Sequence, residues 1–517
     1  MHAYDDKASV NAKTNVSVPS DELRVAITFH GPGGQPGLTK FEAPLSPRSV
    51  QQFVPDPVDM DRAIYELGKL GFVLSRRGRM SVSMRVPRAA YEKACGTKLS
   101  VQRVDPRRGY AFDSFYYPAQ GAPWDPEPAF SQLIDDAYIQ WPHIYMKPKK
   151  RPSASGGVAL DALGGNGPSV NPPHVDYFHL EMPKDVPDLL NVDPVHQAGV
   201  TGTGVRVVMV DTGFAHGSHP FFAAQGYKST VDLAPHAIND STDPNGHGTG
   251  ESTNIFSIAP GATFIGVKVE NDDDPQNGAS MLEGFQTALQ HQPNIISISM
   301  GFDLRDDSGQ QMTALPNSLA ALEAEIQAAI ASGITVVFSA GNGHFSFPGM
   351  MPNVISAGGV FVDENGNRQA SDYASAFDSK IFSGRHVPDF CGLVGMLPHA
   401  SYIMLPIPSG CAIDREVSQP SDGNGDETAI DDGWGVFSGT SAAAPQLAGV
   451  CALLLQKNSN LKPADIKAVL RSTARSVTVG HANPVSSDNG VGMPANSGDN
   501  GACGAGLVDA FAAIQQV

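Results

Sequence analysis

The sequence predicts an α/β protein, a parallel sheet covered by helices on both faces, preceded by a smaller α+β unit. Three observations lead there. From about residue 200, short β-branched runs alternate with helical stretches, the pattern of strands buried on both faces of a parallel sheet. Residues 22–104 give the order strand, helix, strand, strand, helix, strand, a ferredoxin-like arrangement. Between the two, KPKKRPSASGGVALDALGGNGPS (147–169) has the Pro, Gly, Ser and Lys content of an exposed tether. The chain therefore divides into residues 1–146, a linker at 147–170, and residues 171–517.

In the first unit, Leu23 to Phe29 alternates like a strand and Met60 to Leu70 has helical spacing. Met80, Val82, Met84 and Val86 share one face of a strand. A short helix from Arg88 to Cys95 and a last strand from Lys98 to Val104 complete the order, while residues 105–145 are rich in Pro and aromatics without a period. In the larger unit the expected strands are Val205 to Val210, Thr263 to Val269, Ile295 to Met300, Ile334 to Ser339 and Val354 to Val360. Helices are expected at Ser280 to Gln290 and Asn317 to Ser332. In such sheets, sites gather at the carboxyl ends of the strands.

With 517 residues, 41% of them hydrophobic, the chain has material for several cores. A net charge of −18 repels a phosphate backbone, so no nucleic-acid partner is expected. The charge is uneven: residues 1–150 hold 20 basic and 16 acidic residues and the remainder 15 and 37, which favours contact between the two parts. No run reaches the length of a membrane span. Met1 to Asp21 lacks the basic end and apolar run of a secretory signal, so the expectation is a cytoplasmic protein or one exported by an unconventional route. Five cysteines suit a reducing compartment; Cys391 and Cys411, twenty apart, leave a disulfide open.

Four short segments carry chemistry. Asp211 ends the apolar run VRVVMV and precedes Thr212-Gly213. His247 sits in NGHGTG, where glycines permit close backbone approach. Asn342 follows another apolar strand in SAGNG, and Ser441 opens a buried helix in SGTSAAAP. Separately they read as turn residues, a chance histidine and a helix cap. Together they supply an acid to fix an imidazole, a base, an oxyanion donor and a nucleophile.

At these residues the chain resembles the subtilisin-like serine proteases, whose four signature blocks occur here in order as VMVDTG, NGHGT, SAGN and SGTSAAAP; the match runs from about Val195 to Ala513. The resemblance implies a subtilisin-like parallel sheet of about seven strands between helices and a triad of Asp211, His247 and Ser441, with Asn342 and the Ser441 amide holding the oxyanion. It implies a peptide substrate lying as an added strand beside Asn277, Gly278 and Ala279 on one side and Ser299, Met300 and Gly301 on the other. Ser339, Ala340, Gly341, Ser346 and Phe347 would line an uncharged primary pocket suited to a mid-sized or apolar side chain.

Departures from the family pattern are Gly250, where His is usual, and Ala442, where Met is usual. Gly439 to Ala442 (GTSA), Gly384 to Asp389 and the segment from Gly68 to Val101 look more like the sedolisins, acid-active relatives with a Glu base and an Asp at the oxyanion position. Here those positions hold His247 and Asn342, which implies subtilisin chemistry near or above neutral pH. Glu251 is then a surface residue or one behind the site. The N-terminal unit is similar to a sedolisin prodomain, which implies a folding aid and intramolecular inhibitor, with self-cleavage expected between Met146 and Ser169. The alternatives are a sedolisin-like acid peptidase and a catalytically silent peptide-binding module. No cofactor is required. Asp422, Asn424 and Asp426 begin like a calcium loop, but Gly433 stands where the closing Glu belongs, so a solvated acidic loop is the competing reading.

Overall fold

The computed structural model describes residues 19–41, 43–103, 114–119, 121–145, 167–306, 308–397, 400–418, 425–483, 492–499 and 501–517. Its larger sheet runs, in spatial order, Ser229–Leu233, Thr263–Lys268, Arg206–Asp211, Ile295–Ile298, Thr335–Ser339 and Ile355–Val362. Phe390–Leu393 pairs parallel with Ile355–Val362, making seven parallel strands, and Arg368–Ala370 adds an antiparallel edge. Alternation assigns the faces. Val207 and Met209 join the cluster of the helices His247–Ile258 and Thr440–Lys457, and Val208 and Val210 join that of Met281–Gln290 and Ala320–Ala331. The helix Thr440–Lys457 is buried on every side as far as Leu455, which is why its sequence is apolar all round.

The expected strands are present within a residue or two, with one difference: Ile295 to Met300 is two elements, a core strand ending at Ile298 and an edge strand Met300–Asp303, broken at Ser299. Sequence reading passed over Ser229–Leu233 and Phe390–Leu393.

The N-terminal unit holds a four-stranded antiparallel sheet in the order Val73–Arg77, Ser81–Pro87, Glu22–Thr28, Asp136–Ile139, with the helices Pro57–Lys69 and Arg88–Ala94 packed on one face. The fourth strand corrects the sequence expectation. Leu99–Arg103, with Val101 nearly half exposed, instead forms a separate ribbon with Ser114–Pro118, and Asp136–Ile139 takes its place because Ala137 and Ile139 bury into the unit's core. The strand Ser81–Pro87 is buried on both faces. Val82, Met84 and Val86 point into the unit, and Ser81, Ser83 and Arg85 meet Glu325, Gln286 and Glu283 on the two helices of the larger unit. Most of the expected linker lies outside the described residues. None of the helices among the described residues is long and apolar enough to cross a membrane.

Candidate active site

Asp211 is the last residue of its strand and His247 the first of its helix. Their contact is Asp211 Oδ1 to His247 Nδ1 at 2.7 Å, and the Thr212 amide donates to the same oxygen at 2.8 Å. Gly248 makes this approach possible: a Cβ there would stand 2.3 Å from the Gly213 carbonyl. Asp243, which the sequence reading missed, fixes the helix start. Its Oδ1 accepts from the Gly246 amide and the Thr212 hydroxyl, and its Oδ2 from the amide and hydroxyl of Thr249. Thr212 Oγ1 accepts in turn from the Gly248 amide at 3.0 Å. A buried Asp ahead of a helix is a capping signal, and its place four residues before His247 was the available hint. Gly250 has a packing reason, since a Cβ would meet Phe437 at 2.8 Å.

Ser441 is the second residue of its helix, behind the cap Gly439. Pro445, four residues on, has no N–H to offer the Ser441 carbonyl, and the Ser299 hydroxyl takes that acceptor at 3.0 Å. Ser441 Oγ donates back to the Ser299 carbonyl at 3.4 Å, so the hydroxyl is turned to the sheet edge rather than to His247. Asn342 lies beside it, with Oδ1 accepting from the amide and hydroxyl of Thr440 at 3.0 and 3.1 Å. This anchors the oxygen end and fixes the orientation of the amide nitrogen, which a Cβ on Gly439 would approach to 2.9 Å. Thr440 is therefore a second residue that pattern reading did not single out.

The edge strand Met300–Asp303 is already paired on both sides. Phe302 and Asp303 pair with Phe347 and Ser346. Met300 and Gly301 pair antiparallel with Tyr145 and Ile144 of the N-terminal unit. The Tyr145 ring stands 6.1 Å from the His247 ring. Across the cleft, the Gly278 carbonyl accepts from Arg24 and Arg85, at 3.1 and 3.3 Å, and Asn277 Nδ2 donates to Asp274. That side is thus met by arginines where a strand was expected. Among the residues expected to line the primary pocket, Ala340 bonds the Ala357 carbonyl, the Gly341 amide donates to Thr440 Oγ1, and Ser346 Oγ donates to the Ser339 carbonyl. Ser346 and Phe347 are buried.

Three buried carboxyls, Asp211, Glu251 and Asp243, act on the imidazole, and the half-buried Glu270 lies near Asp243. Burial pulls His247 down most strongly, but the charge and hydrogen bond of Asp211 together with the charges of Glu251 and Asp243 lift the imidazole to about 9. Burial raises Glu251 to about 8 against the opposing pull of His247. Burial, then the charge of Asp243, raises Glu270 to about 8. Of the two places expected for Glu251, the structure gives the one behind the site: it is 1% exposed and accepts from Asn254 Nδ2 at 3.0 Å, and Asn254 Oδ1 accepts from Gln446 on the Ser441 helix.

The possible calcium loop falls partly outside the description, which omits Asp422 and Asn424. Asp426 is committed elsewhere, accepting from the amide and hydroxyl of Thr428 and the amide of Val436. No cluster of three or more His, Cys, Asp or Glu among the described residues could hold a metal. Cys391 and Cys411 do not pair. Cys391 lies against Cys503, whose carbonyl is 3.4 Å from its sulfur, and Cys411 caps the helix Ala412–Val417.

Alkaline elastase YaB from Bacillus sp. (strain YaB) is 29% identical over 295 residues, covering 54% of this chain and 62% of that protein. Subtilisin E from Bacillus subtilis (strain 168) is 26% identical over 326 residues, covering 59% and 71%. The chain thus spans about three fifths to seven tenths of the length of these relatives. The solved structure of fervidolysin from Fervidobacterium pennivorans, described as a keratinolytic enzyme related to subtilisin, aligns with a TM-score of 0.55 at 17% identity. That alignment covers 96% of this chain and 61% of that one, a likeness of fold. The subtilase family model matches residues 202–506, more than half of the sequence, and the chain belongs to the subtilase family.

Proposed function

We propose that this chain is a serine endopeptidase of subtilisin type whose N-terminal unit acts as its intramolecular inhibitor. One observation carries the reading: a peptide strand, Ile144–Tyr145, lies in antiparallel register on the edge that leads to Ser441, beside a bonded Asp211–His247 pair. In the proposed reaction Ser441 Oγ leaves the Ser299 carbonyl, gives its proton to His247 Nε2 and attacks the scissile carbonyl. Asp211 holds the Nδ1 proton and stabilises the imidazolium. Asn342 and the Ser441 amide receive the developing oxyanion. His247 then protonates the leaving amine, and water, deprotonated by the same imidazole, releases the acyl group. The reaction needs no cofactor.

A base must be neutral to accept a proton, and Asp211 favours the charged imidazole. Hydrolysis should therefore rise as pH climbs through the His247 titration and fall away toward acid. Labelling with a fluorophosphonate, alongside an intact-mass time course at pH 7.5, tests the reading. Wild type should label at Ser441 and lose its N-terminal unit by a cut between residues 146 and 169, whereas Ser441→Ala should do neither. Absence of labelling after mild trypsin treatment would leave a peptide-binding module. Buried Glu251, one turn from His247, favours the acid-peptidase alternative; an optimum near pH 4 that survives His247→Ala but not Glu251→Ala would establish it.

A further inference from the structure

The helices that carry His247 and Ser441 lie side by side in the same direction. Gln446 meets Asn254, and about one turn further along each helix Gly449 meets Ile258, where a Cβ on the glycine would stand 2.8 Å from that of the isoleucine. His247, Glu251, Asn254 and Ile258 are spaced by four, three and four residues, so they share one stripe of their helix. The close approach at Gly449 sets the separation of the two helices, and a chain of directed bonds sets their register. Leu393, in the strand Phe390–Leu393, donates its amide to Gln446 Oε1 at 2.7 Å and accepts from Gln446 Nε2 at 3.2 Å. That pair leaves the Gln446 amide one orientation, with Nε2 also donating to Asn254 Oδ1 at 3.1 Å. Asn254 is oriented in turn, and its Nδ2 donates to Glu251 Oε2 at 3.0 Å and to the Glu251 carbonyl at 3.2 Å. Gln446 and Asn254 are fully buried and Glu251 nearly so, where each donor needs its acceptor. Every link therefore runs one way, from the sheet through the Ser441 helix to the carboxyl one turn beyond His247.

We infer that Gln446 is a positioning residue for the reaction: through Asn254 and Glu251 it locks the helix of the base to the helix of the nucleophile in one register. The inference rests on the peptidase reading and deepens it. Ser441 Oγ is turned to the Ser299 carbonyl and must swing toward His247 to give up its proton, so the reach between the two depends on how their helices stand. A misplacement of about 1 Å costs up to ~10²-fold in rate. The edge strand Met300–Asp303 takes no part in these bonds, so the effect falls on kcat and leaves KM alone.

Two variants break the chain of bonds and a third remakes it. Gln446→Met removes the bonds at similar side-chain length, and Asn254→Asp sets one carboxylate against another. In processed enzyme each should lower kcat roughly 10- to 100-fold while KM stays within about twofold. Asn254→Asp combined with Glu251→Gln moves the carboxylate from one residue to the other, restores a donor and an acceptor to every link, and should recover most of kcat. An unchanged kcat in Gln446→Met, or a change confined to KM, overturns the assignment, and Gln446→Met decides it alone where Asn254→Asp does not fold. A combination as slow as Asn254→Asp overturns it too, by giving the Glu251 carboxyl itself a part in the chemistry. A readout without turnover is amide hydrogen exchange from Gly250 to Ile258 in the Ser441→Ala chain, which should quicken about tenfold in Gln446→Met. Unmoved exchange overturns the lock, whereas failure of wild type to label at Ser441 overturns the peptidase reading instead.

Discussion

The N-terminal unit touches the larger one in two places that differ in kind. Along the helices Met281–Gln290 and Ala320–Ala331 the contact is broad and polar. Arg85 and Glu283 form a buried ion pair at 3.0 Å, and Glu325 accepts from the amides of Arg79, Met80 and Ser81 and from the Ser81 hydroxyl. Glu323 accepts from the Leu45 amide at 3.0 Å. At the cleft the contact is a two-residue ladder, Ile144–Tyr145 on Met300–Gly301, faced by Arg24 and Arg85 on the Gly278 carbonyl. Carboxylates that count amides recognise one particular backbone path, while a short ladder accepts any extended peptide. The first contact therefore supplies the affinity and the second only places a strand in the cleft. A cut in the tether would leave the first intact, so removal of the N-terminal unit is a separate event from the cut.

The largest effect should come from breaking the broad contact. Arg85→Ala strands Glu283 in the interface, at a cost of about 3–5 kcal/mol, read as a lowered urea midpoint for undocking in the Ser441→Ala chain. An unchanged midpoint would move the affinity to the cleft. Asn342→Ala should slow turnover about 10²–10³-fold while leaving docking as it was, measured by peptide hydrolysis and hydrogen exchange side by side. If both change, site and interface are not separable.

A subtler distinction is in the pH response. His143, just before the cleft strand, is depressed to about 3 by burial and then by the charge of Arg24. Its contribution is full above the ordinary value of about 6.5 and is lost as pH falls below it. Glu323 is raised to about 7 by burial, against the Leu45 amide. It favours docking below about 4.5 and loses that contribution as pH rises through 7. Hydrogen exchange at pH 5 should show the cleft strand loosened and the helix contact held, with the reverse order at pH 9. The smallest effect is that of Glu323→Gln, which should remove part of the alkaline loosening and leave the acid side untouched.

The four motif blocks were legible because each is local: Asp211 after an apolar strand, His247 among glycines, and Asn342 and Ser441 at an element boundary. The parallel sheet was legible for the same reason, its strands being continuous apolar runs. What pattern reading lost depends on partners far away in sequence. Asp136–Ile139 is a strand because Glu22–Thr28 offers it an edge. Glu251 looks like a surface residue of a helix and is buried because the Ser441 helix lies across it.

Ser299 sits at the break between the core strand and the edge strand, with its hydroxyl on the Ser441 carbonyl and its own carbonyl receiving the Ser441 hydroxyl. Because Pro445 leaves that carbonyl without a partner inside its helix, the edge strand and the start of the Ser441 helix are hinged on a single residue. The two are set from one pin, and a change at Ser299 would throw both out of true together.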